Sequence, residues 1–111
     1  HLIEICNASN VSAEINFNNI ELLPGTFKFL EQGIMPGGSK RNLKHAENFT
    51  IFNPNLTYNQ KLITCDAQTS GGLLITLSNR NARKFIEEFG KKAKIIGEIT
   101  SKKNNSVSVH L

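Results

Sequence analysis

Cysteine is scarce in this chain of 111 residues: Cys6 and Cys65 lie far apart and no Cys-x-x-Cys pair occurs. That excludes the ligand spacing of a structural zinc site and the thiol density of a small disulfide-stapled fold. The reading is of two free thiols in a reducing cytosol, with a disulfide between them left open. No apolar run reaches the length of a membrane-spanning helix. His1-Leu2-Ile3-Glu4 has no initiator Met and neither the charged start nor the long apolar run of a signal peptide, so it reads as a cut end. Long basic tracts are also lacking. Lys and Arg together number 13 against 9 Asp and Glu, a net charge of +4. They are scattered singly or in pairs such as Lys40-Arg41 and Lys102-Lys103, and only 7% of residues are aromatic. This pattern describes a solvated surface and argues against nucleic acid as a partner. With 39% hydrophobic and 20% charged residues the chain is an ordinary globular domain, 1–111, without repeats or a low-complexity linker.

Taken in order, Leu2, Ile5 and Cys6 share one face of an initial helix, the tail of one that begins upstream. Val11, Ala13, Ile15 and Phe17 alternate with polar residues and predict a strand over 11–17. Pro24 suits a first helical position and Gly33 a residue past the end, so a helix with Leu23, Phe27 and Leu30 buried is expected between them. Ile34 to Gly38 reads as loop, with Ser39 capping a helix through Lys44 and Ala46. Phe49 to Phe52 is a short extended piece, and Tyr58 to Thr64 a short helix carrying Leu62 inward. Leu73 to Leu77 reads as a buried central strand. Ala82, Phe85, Ile86 and Phe89 recur at helical spacing until Gly90. A strand over 94–100, a turn at Lys102 to Asn105 and a last strand at Val107, Val109 and Leu111 complete the chain as a hairpin. The predicted fold is α+β, a mixed β-sheet with helices packed mainly on one face. If strands 72–77 and 94–100 are parallel neighbours, a right-handed crossover joins them.

Two stretches carry chemistry. Gly37-Gly38-Ser39, leading into a helix, offers free backbone amides and a hydroxyl beside Arg41, a set suited to an oxyanion. The alternative for this stretch is a plain capped loop, and for Arg41 a surface salt bridge. In Asp66-Ala67-Gln68-Thr69-Ser70-Gly71-Gly72 the glycines permit backbone conformations closed to other residues, and the hydroxyls can satisfy a turn or meet a ligand's oxygens. Asp66 is read as capping that turn through backbone amides, the alternative being that it faces a cleft. No phosphate loop of Walker type and no carboxylate cluster for magnesium is present.

The run Asp66 to Leu74 resembles the D-P/A-Q-T-S-G-G-L-L signature of selenophosphate synthetase (selenide, water dikinase), of the aminoimidazole-ribotide-synthetase-like superfamily. Met35 to Asn42 is similar to the P-G-G-S/T-x-x-N segment of the same family, and the two motifs occur in the family's order. The opening His1 to Glu4 resembles the family's residues immediately after its D-V-T-G-F-G-x-x-G run. The resemblance implies an enzyme that converts ATP, selenide and water to selenophosphate, AMP and phosphate. It implies that this chain is the C-terminal domain, walling a cleft against an ATP-binding N-terminal domain of the same polypeptide. That missing domain would hold ATP and magnesium and carry the Cys or selenocysteine nucleophile, leaving no cofactor and no catalytic residue on this domain, which alone would be inactive. A cytoplasmic homodimer is implied for the full-length enzyme. The implied cleft residues are Gly37, Gly38, Ser39, Arg41, Asn42, Gln68, Thr69, Ser70, Gly71 and Gly72, with the two glycine-bearing segments on one side of the sheet. The alternatives are the equivalent domain of a thiamine-phosphate kinase, hydrogenase maturation protein or purine-pathway synthetase, or a stand-alone polyanion-binding module.

Overall fold

Alternation along Val11–Asn16 places Val11, Ala13 and Ile15 on one side of a strand, β1, that has a neighbour on each edge. The computed structural model describes residues 1–111, the Lys91 side chain excepted. With β2 (Thr50–Phe52), β3 (Gly97–Ser101) and β4 (Val107–His110) it forms one mixed sheet in the order β2-β4-β1-β3. β1 runs parallel to β4, with Ala13 beside Val107 and Ile15 beside Val109. It runs antiparallel to β3, with Ala13 beside Ile99. β2 adds parallel to the other edge of β4.

This register gathers Ala13, Val107 and Val109 on one face, where they join Cys6, Phe17 and Leu56 in the core. Cys6 comes from α1 (Leu2–Ala8), and Ile63 of α4 (Tyr58–Thr64) packs against the same cluster. The architecture is therefore α+β, a mixed sheet with its helical cover on the core face. The opposite face carries Glu14, Ser108 and His110 in register. There Lys103 binds the Glu14 carboxylate, His110 Nε2 lies 3.9 Å from it, and the Lys103 hydrogen bond and charge hold its pKa below the ordinary carboxylate value.

The last two strands do not form the expected hairpin. β1 lies between them, so residues 102–106 step over its end, tied there by the buried Ser12. Ser12 Oγ donates to the Asn105 carbonyl at 2.7 Å and accepts the Lys103 amide at 2.9 Å. The physical reason is burial: Val107 and Val109 are 5% and 3% exposed and need a place between two strands, whereas Ile99, at 38%, suits an edge.

Leu73 to Leu77 is also not a strand. It has no ladder partner, and Leu73, Leu74, Ile75 and Leu77 remain at least 41% exposed. The run lines an open cleft of 1120 Å³ opposite Phe85, Ile86 and Phe89 of α5 (Asn79–Phe89) and Ile95 and Ile99. The condition for a right-handed crossover is therefore not met: 72–77 is unpaired, and β3, which starts at Gly97 rather than 94, pairs with β1 alone, with the Ile96 carbonyl before it accepting the Asn16 amide. A short apolar run fixes neither its pairing nor its depth.

α2 spans Thr26–Glu31 and starts after Gly25, at φ 88°, rather than at Pro24. Its C-terminus matches expectation: Gly33, at φ 75°, donates to the Leu30 carbonyl and Ile34 to that of Phe29, both at 2.9 Å. Its apolar face is not buried, with Leu23 81% and Phe27 40% exposed. Ile5 of α1 also points outward, and Ile3 joins the core instead.

Candidate functional site

α3 spans Gly37–Ala46, so Gly37 and Gly38 form its first turn and are not loop. Pro36 occupies the cap position, and Ser39, expected there, lies inside the helix and is 2% exposed. The first amides of a helix have no partner within it, and those of Gly37 and Gly38 find none elsewhere among the described residues. Arg41 folds back over this turn: a methyl group built on Gly37 would lie 3.8 Å from one guanidinium nitrogen, and one on Gly38 3.9 Å from the other. The salt bridges among the described residues do not include Arg41.

The buried hydroxyl of Ser39 reaches the second motif. Ser39 Oγ donates to Asp66 Oδ1 at 2.8 Å and accepts the Ala67 amide at 3.1 Å. One turn later, Asn42 Nδ2 donates to the Cys65 carbonyl at 3.1 Å. A Cβ on Gly38 would come within 2.8 Å of the Ala67 methyl, so glycine is what lets α3 approach this closely. The segment is delivered by α4, whose start is held by a capping box: Thr57 Oγ1 accepts the Gln60 amide and Gln60 Oε1 accepts the Thr57 amide. Leu62, 1% exposed, anchors that helix. The Thr-x-x-Gln spacing at 57–60 was a legible helix-start signal; no spacing rule announces the Ser39–Asp66 contact across 27 residues.

Asp66 does not cap its turn through amides. Its second oxygen, Oδ2, accepts the side-chain amide of Gln68 at 3.1 Å, so both of its oxygens hold side chains. Gln68 thereby folds over the turn with Oε1 in the space a Gly71 side chain would need. Neither Gly71 nor Gly72 adopts a positive φ, so conformational freedom is not why glycine stands there. Gly71 makes room for Gln68, while Gly72 faces open space. Thr69 and Ser70 are exposed, and their hydroxyls make no hydrogen bond among the described residues. The structure thus joins Gly38, Ser39, Asn42 and Gln68 around residues 65–67, sets Arg41 over the α3 start, and leaves Thr69, Ser70 and Gly72 in solvent.

Cys65 adjoins the site, but burial pushes its thiol pKa up, with the Thr64 hydroxyl at 3.6 Å opposing the shift and Glu47 adding to it. Burial also raises that of Cys6, which is fully enclosed. Neither is poised as a thiolate near neutrality.

The sequence matches, over residues 1–110, the family described as AIR synthase related protein, C-terminal domain. The chain belongs to that family. Its sequence is of the selenophosphate synthetase kind: it is 35% identical to a selenide, water dikinase of Aliarcobacter butzleri, over 99% of this chain and 33% of that protein. It is 46% identical to that of Haemophilus ducreyi over 77% of this chain and 24% of the relative. For Sulfurovum sp. the figures are 37%, 98% and 32%. The chain spans about a third or less of the length of these relatives.

The donors at the start of α3 fit a phosphate: two unpaired amides, a helix N-terminus and a guanidinium able to give two parallel hydrogen bonds. They do not fit magnesium, for which no group of three His, Cys, Asp or Glu side chains occurs among the described residues. No helix among them is long and apolar enough to cross a membrane.

Proposed function

We propose that this chain is the C-terminal domain of an enzyme that forms selenophosphate, AMP and phosphate from ATP, selenide and water. In this reading it walls the active-site cleft against an ATP-binding domain of the same polypeptide, which holds magnesium and the nucleophile, in a cytoplasmic homodimer. The Gly37 and Gly38 amides and Arg41 take a phosphate of the nucleotide or of a product, and Gln68, Thr69 and Ser70 line the cleft beside it. Donors that are fixed before the ligand arrives hold developing negative charge without reorganising, which is how a domain lacking the nucleophile contributes to phosphoryl transfer.

The observation that supports this reading is the clamp of Ser39 and Asn42 onto residues 65–67, which puts the two segments in hydrogen-bond contact while the Gly37 and Gly38 amides and Arg41 have no partner among the described residues. The relatives named selenide, water dikinase support the reaction class. The test is Arg41→Ala in the full-length enzyme, followed by AMP release and by the phosphorus NMR signal of selenophosphate. A fall of about 10²-fold or more is expected, the scale of losing one charge-stabilising donor; unchanged turnover removes the site. The isolated chain, incubated with ATP, magnesium and selenide, should release no AMP above blank.

A further inference from the structure

We propose that Asp66 is a positioning residue that fixes which end of the Gln68 carboxamide faces the cleft, so that the Q-T-S-G-G turn presents a hydrogen-bond acceptor. This rests on the functional reading above. A carboxamide is nearly symmetric in shape, and only its neighbours decide whether its N–H₂ or its oxygen points a given way. Here the neighbour is the Asp66 carboxylate, whose two oxygens act as acceptors. Asp66 is itself held, because Oδ1 takes the Ser39 hydroxyl at 2.8 Å and Oδ2 is left for Gln68 Nε2 at 3.1 Å. The amide nitrogen is therefore turned inward and Oε1 is turned over Gly71, where the missing side chain leaves it room.

The two halves of the site then have opposite character. The start of α3 offers donors, suited to phosphate oxygens, whereas Gln68 Oε1 above Gly71 offers an acceptor. Its partner is a hydroxyl or amino donor of a nucleotide, since a phosphate oxygen there would meet like partial charge. The arrangement reads one ligand at two points of opposite polarity.

In the full-length enzyme, Asp66→Asn keeps an oxygen for Ser39 but offers Gln68 an N–H₂, so the carboxamide of Gln68 turns over and presents a donor. We expect kcat/KM for ATP to fall about tenfold or more, the scale of a misplaced polar contact, with the melting midpoint close to that of the parent. Adding Gln68→Glu to Asp66→Asn restores an acceptor above Gly71, because the carboxamide introduced at position 66 donates to one carboxylate oxygen and leaves the other outward. The pair should recover most of the loss, which a merely structural role for Asp66 would not produce. Gln68→Leu reads the acceptor without touching the Ser39 contact and should lower kcat/KM by a similar factor. Parental kinetics for Asp66→Asn, or no recovery in the exchanged pair, overturns the proposal. If Gln68→Leu is impaired while Asp66→Asn is not, only the positioning role fails; if Gln68→Leu and Arg41→Ala both turn over like the parent, the site reading fails with it.

Discussion

The two ends of the signature turn are built differently. Residues 65–68 are held by side-chain hydrogen bonds from Ser39, Asn42 and Gln68 and rest on a helix anchored by the buried Leu62. Residues 72–77, a few positions on, have no ladder partner and leave Leu73 90% exposed. One continuous motif is thus half fastened and half free, and the fastened half is the one that meets the other motif. The difference teaches that a signature's apolar tail and its polar head answer to separate demands. The head is satisfied within the domain; the tail exposes a row of large apolar side chains whose burial requires something further.

The comparison breaks first at Leu62. Leu62→Ala should cost about 2–5 kcal/mol in urea unfolding, the range for emptying a closed core site; a cost near zero would show that α4 does not anchor the turn. Ser39→Ala removes a buried hydroxyl and leaves the Ala67 amide without a partner, for about 1–3 kcal/mol. Gly38→Ala should lose a similar amount by forcing α3 away from the Ala67 methyl. On the free side, Gly72→Ala meets nothing within 4 Å and no positive φ, so it should be neutral or add about 0.4–1 kcal/mol by restricting the unfolded chain.

The smallest stability effect is expected at Leu73→Ser, within about 0.5 kcal/mol of the parent. A larger loss would mean that the run is buried in solution and would restore the strand that its sequence suggests. Cys65 sharpens the same contrast without a substitution. Because burial raises its thiol pKa, less thiolate is present at neutral pH than for a free cysteine, so iodoacetamide should react slowly and speed up as pH rises past the ordinary thiol range. Rapid alkylation at neutral pH would show residues 65–68 to be loose.

Much of the fold was legible because local rules decided it. The alternation in β1, the Gly33 stop and the α4 helix each depend on residues within a few positions of one another. What escaped depends on partners distant in sequence. The apolar pattern of 73–77 specifies a strand only if an edge is offered to it, and the turn at 102–105 specifies a hairpin only if no other strand intervenes. At the site, the residue types at Gly37, Gly38, Ser39, Arg41 and Asn42 were readable, but their division of labour was not. Ser39 reads as a cap and is a buried clamp; Gly38 reads as loop and Gly71 as a source of backbone freedom, and both are gaps for a neighbour. Both errors arise because a small residue looks the same in sequence whether it serves its own backbone or another segment's side chain.

The place of β4 has a consequence for how the domain is made. It is translated after β1, β2 and β3, yet it sits between β1 and β2 and supplies both of their parallel ladders. A nascent chain that has not reached residue 110 can pair β1 with β3, but it leaves one edge of β1 open and β2 without a partner. Ribosomal stalling or a premature stop just before β4 would release a species with an open β1 edge and an unpaired β2, the kind of edge-exposed polypeptide that chaperones and proteases remove.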